Sequence, residues 1–141
     1  MPWSKESRQA WALLFARGVL GLIFFMAGIW KVFTLTPVGH AYRYFVDPYP
    51  NFALWAVGVT VPVVELLAGA LLLVGWRVRE ASIALGGVLL IVTFGHLVKE
   101  PLYAFHTHVI PRLVLLLFVM LLPREADLFS LDTLLANRQR T

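Results

Sequence analysis

Four stretches of mostly apolar residues alternate with polar or proline-containing breaks along the chain. They cover about residues 11–33, 52–76, 81–98 and 104–122. Each approaches the roughly 20 apolar residues that a helix needs to cross the hydrocarbon core of a bilayer. The pattern therefore predicts an all-α integral membrane protein, a bundle of four transmembrane helices.

The breaks predict how these helices are connected. Residues 34–51 contain three prolines and a glycine, which predicts a loop, whereas residues 77–80 form a tight polar turn. A turn this short makes the second and third helices antiparallel neighbours. Residues 123–141 then form a polar tail. The whole chain, residues 1–141, is expected to be a single four-span domain.

Lysine and arginine are shared unevenly between the two sides of the membrane that this topology defines. One side contains the N-terminus, the tight turn and the tail, and the other contains the loop 34–51. The first side carries seven basic residues, Lys5, Arg8, Arg77, Arg79, Arg124, Arg138 and Arg140, and the second carries Lys31, Arg43 and Lys99. Because the cytoplasmic side holds the excess of positive charge, both termini are predicted to be cytoplasmic.

Composition supports a membrane protein and excludes several other classes. Hydrophobic residues make up 60% of the chain and charged residues 14%, whereas soluble domains have about 45–50% and about 25%. The bilayer is therefore the expected surroundings, and nucleic acid is not an expected partner. The chain has no cysteine, which excludes a disulfide framework, a thiolate nucleophile and an iron–sulfur cluster.

Ionisable residues inside the predicted spans are the candidates for function, because a charge in hydrocarbon is costly and needs a partner. Glu65 lies near the middle of the second span, and Arg112, Arg17 and His108 lie in other spans. Helix rise places Arg112 about 7 Å and Arg17 about 9 Å from the depth of Glu65. Arg112, with His108 one turn before it, is therefore the preferred partner, and Arg17 completes the expected polar core.

Two other basic side chains are expected at the outer boundary of the membrane. Lys31 closes the first span and is predicted to extend its ammonium to the outer surface, and His96 ends the third span. A metal site built from His96, His106 and His108 is not expected, because residues two apart on a helix point to different faces.

Two interpretations of the polar core stay open. In the first, Glu65 and its partner are a structural ion pair that fixes the register of the helices. In the second, Glu65, Arg112 and His108 handle protons or bind a quinone headgroup, whose carbonyls accept hydrogen bonds and whose reduction consumes protons. No tightly bound cofactor is expected, and a quinone is the candidate ligand.

Several motifs give the chain a family resemblance. Arg17 leads a first helix that ends in Gly28-x-x-Lys31, and the second helix carries the sequence Glu65-Leu66-x-x-Gly69. The loop places Tyr44 and Phe45 before two prolines, and the tail contains Ser130, Leu131 and Asp132. In order and spacing these motifs resemble the DoxX-like family of small bacterial four-helix membrane proteins, which includes DoxD and MauE relatives.

The resemblance implies a location in the bacterial inner membrane and an association with quinol-oxidising or thiosulfate-oxidising terminal oxidase systems. The expected function is thus an accessory subunit of a respiratory or redox complex, not catalytic alone, that contacts a quinone or lipid. Its expected partners are oxidase or dehydrogenase subunits, or further copies of itself. A non-catalytic membrane scaffold and a small-solute or proton transporter are the alternatives.

Overall fold

The structure, a computed structural model, describes residues 4–34, 51–99, 107 and 109–138. Within these ranges the chain is all-α, with five α-helices, one short 3-10 helix and no strand. The α-helices are α1 (Lys5–Thr34), α2 (Asn51–Val74), α3 (Val78–Lys99), α4 (Ile110–Leu121) and α5 (Leu131–Arg138), and the 3-10 helix spans Arg124–Ala126.

Three of these helices, α1, α2 and α3, are long and apolar enough to cross a membrane. They correspond to the first three predicted spans, although α1 begins six residues earlier, at Lys5, and α2 ends at Val74. Many large apolar side chains point outward from them, among them Phe15, Leu22, Met26, Leu67 and Leu90. Contiguous apolar surface of this kind is suited to lipid, and the protein is a multi-pass membrane protein.

The fourth predicted span, 104–122, is described only in its second part. There α4 is apolar and begins with Pro111 in its first turn, where the missing N–H costs no helical hydrogen bond. Its 12 residues extend about 18 Å, less than the roughly 30 Å hydrocarbon core. Residues 104–106 lie outside the described residues, as do residues 35–50 of the predicted loop.

The closest helix packing joins α1 and α2, which run antiparallel. A Cβ built on Gly21 would lie 3.0 Å from the Gly69 oxygen, and one on Gly28 would lie 2.5 Å from the Leu66 nitrogen. Glycine at these positions lets the two backbones approach more closely than any side chain would allow. In addition, α1 packs against α4, and α3 packs against α2 and α4.

A buried apolar cluster fills the space between the four longer helices. Every helix from α1 to α4 contributes to this cluster, so it stabilises the packing of all four helices and not of one helix pair alone. Its members are Leu20, Phe24, Val61, Ala68, Leu72, Ala81, Leu85, Val88, Leu89 and Leu116.

The connection between α2 and α3 is a tight turn at residues 75–77, two to three residues before the predicted break at 77–80, because α3 already begins at Val78. Gly75 has φ +75°, and its N–H donates to the Leu72 carbonyl while that of Trp76 donates to the Leu71 carbonyl. These two bonds form a Schellman motif, which ends a helix with glycine in the left-handed conformation. We call the end of the bundle that contains this turn the turn end.

Candidate functional site: two buried ion pairs along one helix

A lysine–glutamate ion pair joins the middle of α2 to α1. The Lys31 Nζ donates hydrogen bonds to both Glu65 carboxylate oxygens, at 2.7 and 2.5 Å. Both residues are buried, with 8% of Lys31 and 3% of Glu65 exposed. Glu65 lies nine residues before the end of α2, about 14 Å along the axis, or close to half the roughly 30 Å hydrocarbon core.

The glycine contacts explain why these two residues meet. Gly28 packs against the backbone of Leu66, which fixes the axial position of α1 relative to α2. Lys31 follows Gly28 by three residues and so lies on the same face of α1. Its ammonium is therefore brought next to Glu65, the residue before Leu66.

The prediction that Arg112 is the partner of Glu65 was wrong, and so was the prediction that Lys31 reaches the outer surface. Arg112 lies near the pair without forming it. Its guanidinium carbon is 5.9 Å from the centroid of the Phe24 ring, and its charge acts on Glu65 more weakly than that of Lys31. The depth arithmetic compared only Arg112 and Arg17 with Glu65, whereas the packing of Gly28 on Leu66 brings Lys31 beside Glu65.

The two histidines of the predicted site are only partly described. His96 lies near the end of α3, but its side chain is outside the described part of the structure, so its predicted place at the outer boundary stays a prediction. His108 lies outside the described residues, so its predicted place beside Arg112 stays a prediction. Among the described residues, no group of three His, Asp or Glu side chains could hold a metal ion.

Arg17 forms a second buried site at the turn end, with 1% of its surface exposed. Its guanidinium donates to the Leu72 and Leu73 carbonyls at the end of α2, and to the Phe129 carbonyl at 3.4 Å. Its Nε lies 3.2 Å from Asp127 Oδ2. The four C-terminal carbonyls of a helix have no partner within the helix, and the cation supplies one. We call these partners the Arg17 cluster.

The segment that follows α4 continues from this cluster and closes the turn end. Asp132 accepts hydrogen bonds from the Arg77 and Val78 backbone N–H groups, at 2.9 and 3.1 Å, and so caps the start of α3. Ser130 Oγ accepts from the Thr133 N–H and caps α5. The Phe129 ring packs on Trp11 with their centroids 4.9 Å apart.

Gly75 gives this segment room to approach. A Cβ at Gly75 would lie 2.8 Å from Ser130 Cα and 2.7 Å from the Arg17 guanidinium. The Asp132 N–H also donates to the Gly75 carbonyl at 3.0 Å. Glycine is thus required here twice, for its positive φ and for the contact.

Asp127 follows the 3-10 helix after α4, and burial disfavours the charged form of its carboxyl group. Burial raises its pKa above the ordinary value of 3.8, and the charge of Asp132 raises it further, whereas the attraction of Arg17 lowers it. Its Oδ1 has no hydrogen-bond partner among the described residues. The Asp127 carboxylate is therefore less well solvated than a surface carboxylate, and one of its two oxygens lacks a hydrogen bond among the described residues.

Asp127, Ser130 and Asp132 were not predicted as site residues. The sequence pattern predicted their segment only as a polar tail that carries a family motif. A signal was present, because Ser130 followed by Thr133 fits a helix N-cap, and Arg17 needed an anionic partner once Glu65 had another. Their distance of more than 100 residues from Arg17 in the sequence hid the contact.

A comparison with protein families decides the relationship of the chain. The DoxX family model matches residues 12–97, which is more than half of the sequence. The chain belongs to the DoxX family. The matched region contains Arg17, Lys31 and Glu65, while Asp127 and Asp132 follow it. No curated protein and no solved structure matches this DoxX protein.

Proposed function

We propose that this DoxX protein is a four-span subunit of the bacterial inner membrane, with both termini cytoplasmic, and an accessory of a quinol-linked redox complex. Membership of the DoxX family supports the assignment as a small membrane protein of this kind. The seven-to-three distribution of basic residues between the two sides supports cytoplasmic termini. The electron-transfer chemistry would belong to the partner subunits, in keeping with a chain without cysteine.

The observation that carries the proposal is the Lys31–Glu65 ion pair. An apolar pair of similar volume at this position would serve stability as well or better, because two buried charges lose their hydration. Ionisable groups deep in a span generally mark ion or proton pathways. Lysine and glutamate can both give up or take up a proton, which suits a site that responds to proton-coupled redox chemistry nearby.

We do not place a quinone between Lys31 and Glu65. Both hydrogen bonds described for the Lys31 ammonium go to Glu65, and the contact of Gly28 with Leu66 leaves no gap between the helices. Two surface grooves among the described residues are lined by neither Lys31 nor Glu65. We therefore assign the pair a role in charge and proton balance beside a partner subunit, not in holding the quinone.

Purification from the native membrane tests the proposal. The tagged protein, extracted gently into nanodiscs, is expected to leave with oxidase or dehydrogenase subunits in fixed stoichiometry, identified by mass spectrometry. A quinone assay on the lipid extract of the same complex completes the measurement. A homo-oligomer without redox subunits would contradict the proposal.

Removing both charges separates a redox role from a structural one. Glu65→Gln alone leaves Lys31 buried without a counter-ion and is expected to cost about 3–5 kcal/mol of stability. Lys31→Met combined with Glu65→Leu removes both charges, so the protein is expected at near wild-type levels while quinol turnover by the complex falls. Arg112→Met is the matched control, since it removes a neighbouring cation outside the pair. Wild-type turnover in the double variant would show that the pair is structural only.

A membrane scaffold is the second candidate, and one observation favours it. A Cβ built on Gly87, in the middle of α3, would meet nothing within 4 Å among the described residues. Bare glycine on an outward face lets a helix of another subunit approach closely. Gly87→Leu is then expected to release the partner subunits without unfolding the bundle, whereas Gly69, already packed against Phe25, offers no such surface.

A further inference from the structure

The short helix α5 presents its two faces to different surroundings. One face, at the i, i+3, i+4 and i+7 spacing of a helix, consists of Leu131, Leu134, Leu135 and Arg138. On the opposite face, Asp132, Thr133 and Ala136 line a groove together with residues at the start of α3 and the end of α4. The face with the polar residues is therefore turned toward the bundle, and the leucine face is turned away from it.

The leucine face is exposed among the described residues. Leu134 has 56% and Leu135 has 42% of its surface exposed, and Leu128 and Phe129, which shortly precede the helix, are exposed to a similar degree. We call these four residues the tail patch. A helix on the surface of a soluble protein turns its leucines toward the core, whereas α5 turns Asp132 inward and its leucines outward. This arrangement suits a helix whose outer surroundings are apolar.

The tail patch is continuous with the lipid-facing surface of α1. The Phe129 ring packs on Trp11 with their centroids 4.9 Å apart, and the Trp11 ring packs on Phe15 at 5.8 Å. Phe15 belongs to the outward apolar surface of α1. A row of three aromatic rings thus leads from the surface that lipid covers to the tail patch, so lipid at α1 has a direct path to it.

The start of α5 is also fixed at the level where the spanning helices end. Asp132 accepts hydrogen bonds from the first residues after the α2–α3 turn, and its N–H donates to the Gly75 carbonyl within that turn. Trp76, in the same turn, has 47% of its surface exposed, and tryptophan is enriched at the boundary between membrane and water. The lipid headgroups and the upper part of the acyl chains meet at this level.

We propose that α5 is an interfacial helix whose tail patch inserts into the headgroup and upper acyl region of the bilayer. The hydrogen bonds of Asp132 hold the opposite face toward the bundle. Arg138 ends the leucine face, where an arginine can lay its apolar stem along the leucines and extend its guanidinium to the headgroups. The inference is independent of the redox role, because it uses no residue of the Lys31–Glu65 pair, and it holds for either orientation of the termini.

Single nitroxide labels test the proposal directly, since the chain has no cysteine of its own. Leu134→Cys and Leu135→Cys are labelled one at a time in the full-length protein, in nanodiscs of phosphatidylcholine and phosphatidylglycerol. Power-saturation EPR then compares collisions with oxygen, which concentrates in lipid, and with a water-soluble nickel chelate. We expect both labels to have an oxygen-to-nickel collision ratio several-fold higher than the label at Ala136→Cys. Ala136 is the matched control, because it is exposed on the opposite face of the same helix.

Three results would overturn the proposal. Labels at the two leucine positions that collide mainly with the nickel chelate would place the tail patch in water. Labels shielded from both reagents would place it against protein, either a second copy of the chain or a partner subunit. Equal ratios at Ala136 and at the leucine positions would exclude insertion of one face. Chemical unfolding of each labelled variant at the wild-type midpoint confirms that the bundle is intact.

A substitution beside the label sharpens the assignment. Leu134→Gln, read by the label at Leu135→Cys, should lower the collision ratio, because the helix loses apolar contact with the acyl chains. Leu134→Met keeps an apolar side chain of similar volume and should leave the ratio unchanged. The same ratio in the glutamine and methionine variants would contradict insertion of the leucine face.

Discussion

Arg17 and Lys31 are two buried cations on the same helix, and their surroundings differ. They lie fourteen residues apart on α1, about 21 Å along its axis. Arg17 contacts three backbone carbonyls and one carboxylate, contributed by α2 and by the segment after α4. Lys31 donates both of its described hydrogen bonds to one carboxylate, on α2.

The difference follows from the chemistry of the two side chains. A guanidinium is planar, always charged and rich in donors, so it can join several chain segments at a fixed geometry. An ammonium is a compact charge that can lose its proton, so it suits a single acidic partner. The turn end of the bundle is thus held together by a cation that joins several chain segments, and the middle of α2 is joined to α1 by a single ion pair.

Replacement of Arg17 is expected to have the largest effect. Arg17→Met leaves the Asp127 carboxylate buried beside unpaired carbonyls of α2, which should cost about 3–5 kcal/mol. The measurement is chemical unfolding of the purified protein in detergent, together with protease cleavage of the segment after residue 122. Arg17→Lys keeps the charge and should recover only part of the loss. If Arg17→Met unfolded at the wild-type midpoint with its tail protected, the cluster would have no structural role.

Gly28→Ala should break the other site while leaving the Arg17 cluster in place. The new Cβ would lie 2.5 Å from the Leu66 nitrogen, so α1 and α2 must move apart, at a cost of about 1–3 kcal/mol. Gly18→Ala is the control on the same helix, because its Cβ would meet nothing within 4 Å. Chemical unfolding measures both variants, and equal midpoints would show that the close approach at Gly28 does not position Lys31.

The pH dependence of stability offers the smallest and most specific test. Burial and the charge of Asp132 raise the pKa of Asp127 above 3.8, against the attraction of Arg17, so the folded protein holds this proton more tightly than the unfolded chain does. The contribution of Asp127 is therefore most favourable at low pH and is lost as the pH rises from about 3.8 through the raised pKa. In the Asp127→Asn variant, this loss of stability with rising pH should disappear. If the stability of the wild type relative to the variant instead increased with rising pH, the predicted direction would be wrong.

The order of the helices was predictable from the sequence, because the period and length of apolar stretches depend on local chemistry. The breaks at residues 34–51 and 77–80 separate those stretches clearly, and the turn before α3 lies at residues 75–77, close to its predicted position. The beginning of α1 was not, since Lys5 and Glu6 are polar and still continue the helix. Hydropathy locates the part of a helix that lipid covers, and the helix itself extends further.

The pairing of charges could not be derived in the same way. Glu65 was identified as a buried acid from its place in an apolar span, but its partner depends on how far α1 and α2 slide along each other. That offset is set by backbone contacts such as Gly28 with Leu66, which hydropathy does not encode. The Arg17 cluster was missed for a related reason, because half of it comes from a segment with no apolar pattern of its own.

The contact between Arg17 and Phe129 has a consequence for biosynthesis. The two residues are separated by 112 positions, so at roughly 5–20 residues per second the ribosome needs about 6 to 22 s to produce the second after the first. During that interval α1, α2 and the turn are already made, yet the arginine lacks its carboxylate and α3 lacks the Asp132 cap. The nascent hairpin is incomplete until its own downstream sequence arrives, and a chain terminated before residue 127 leaves the Arg17 cation without its carboxylate.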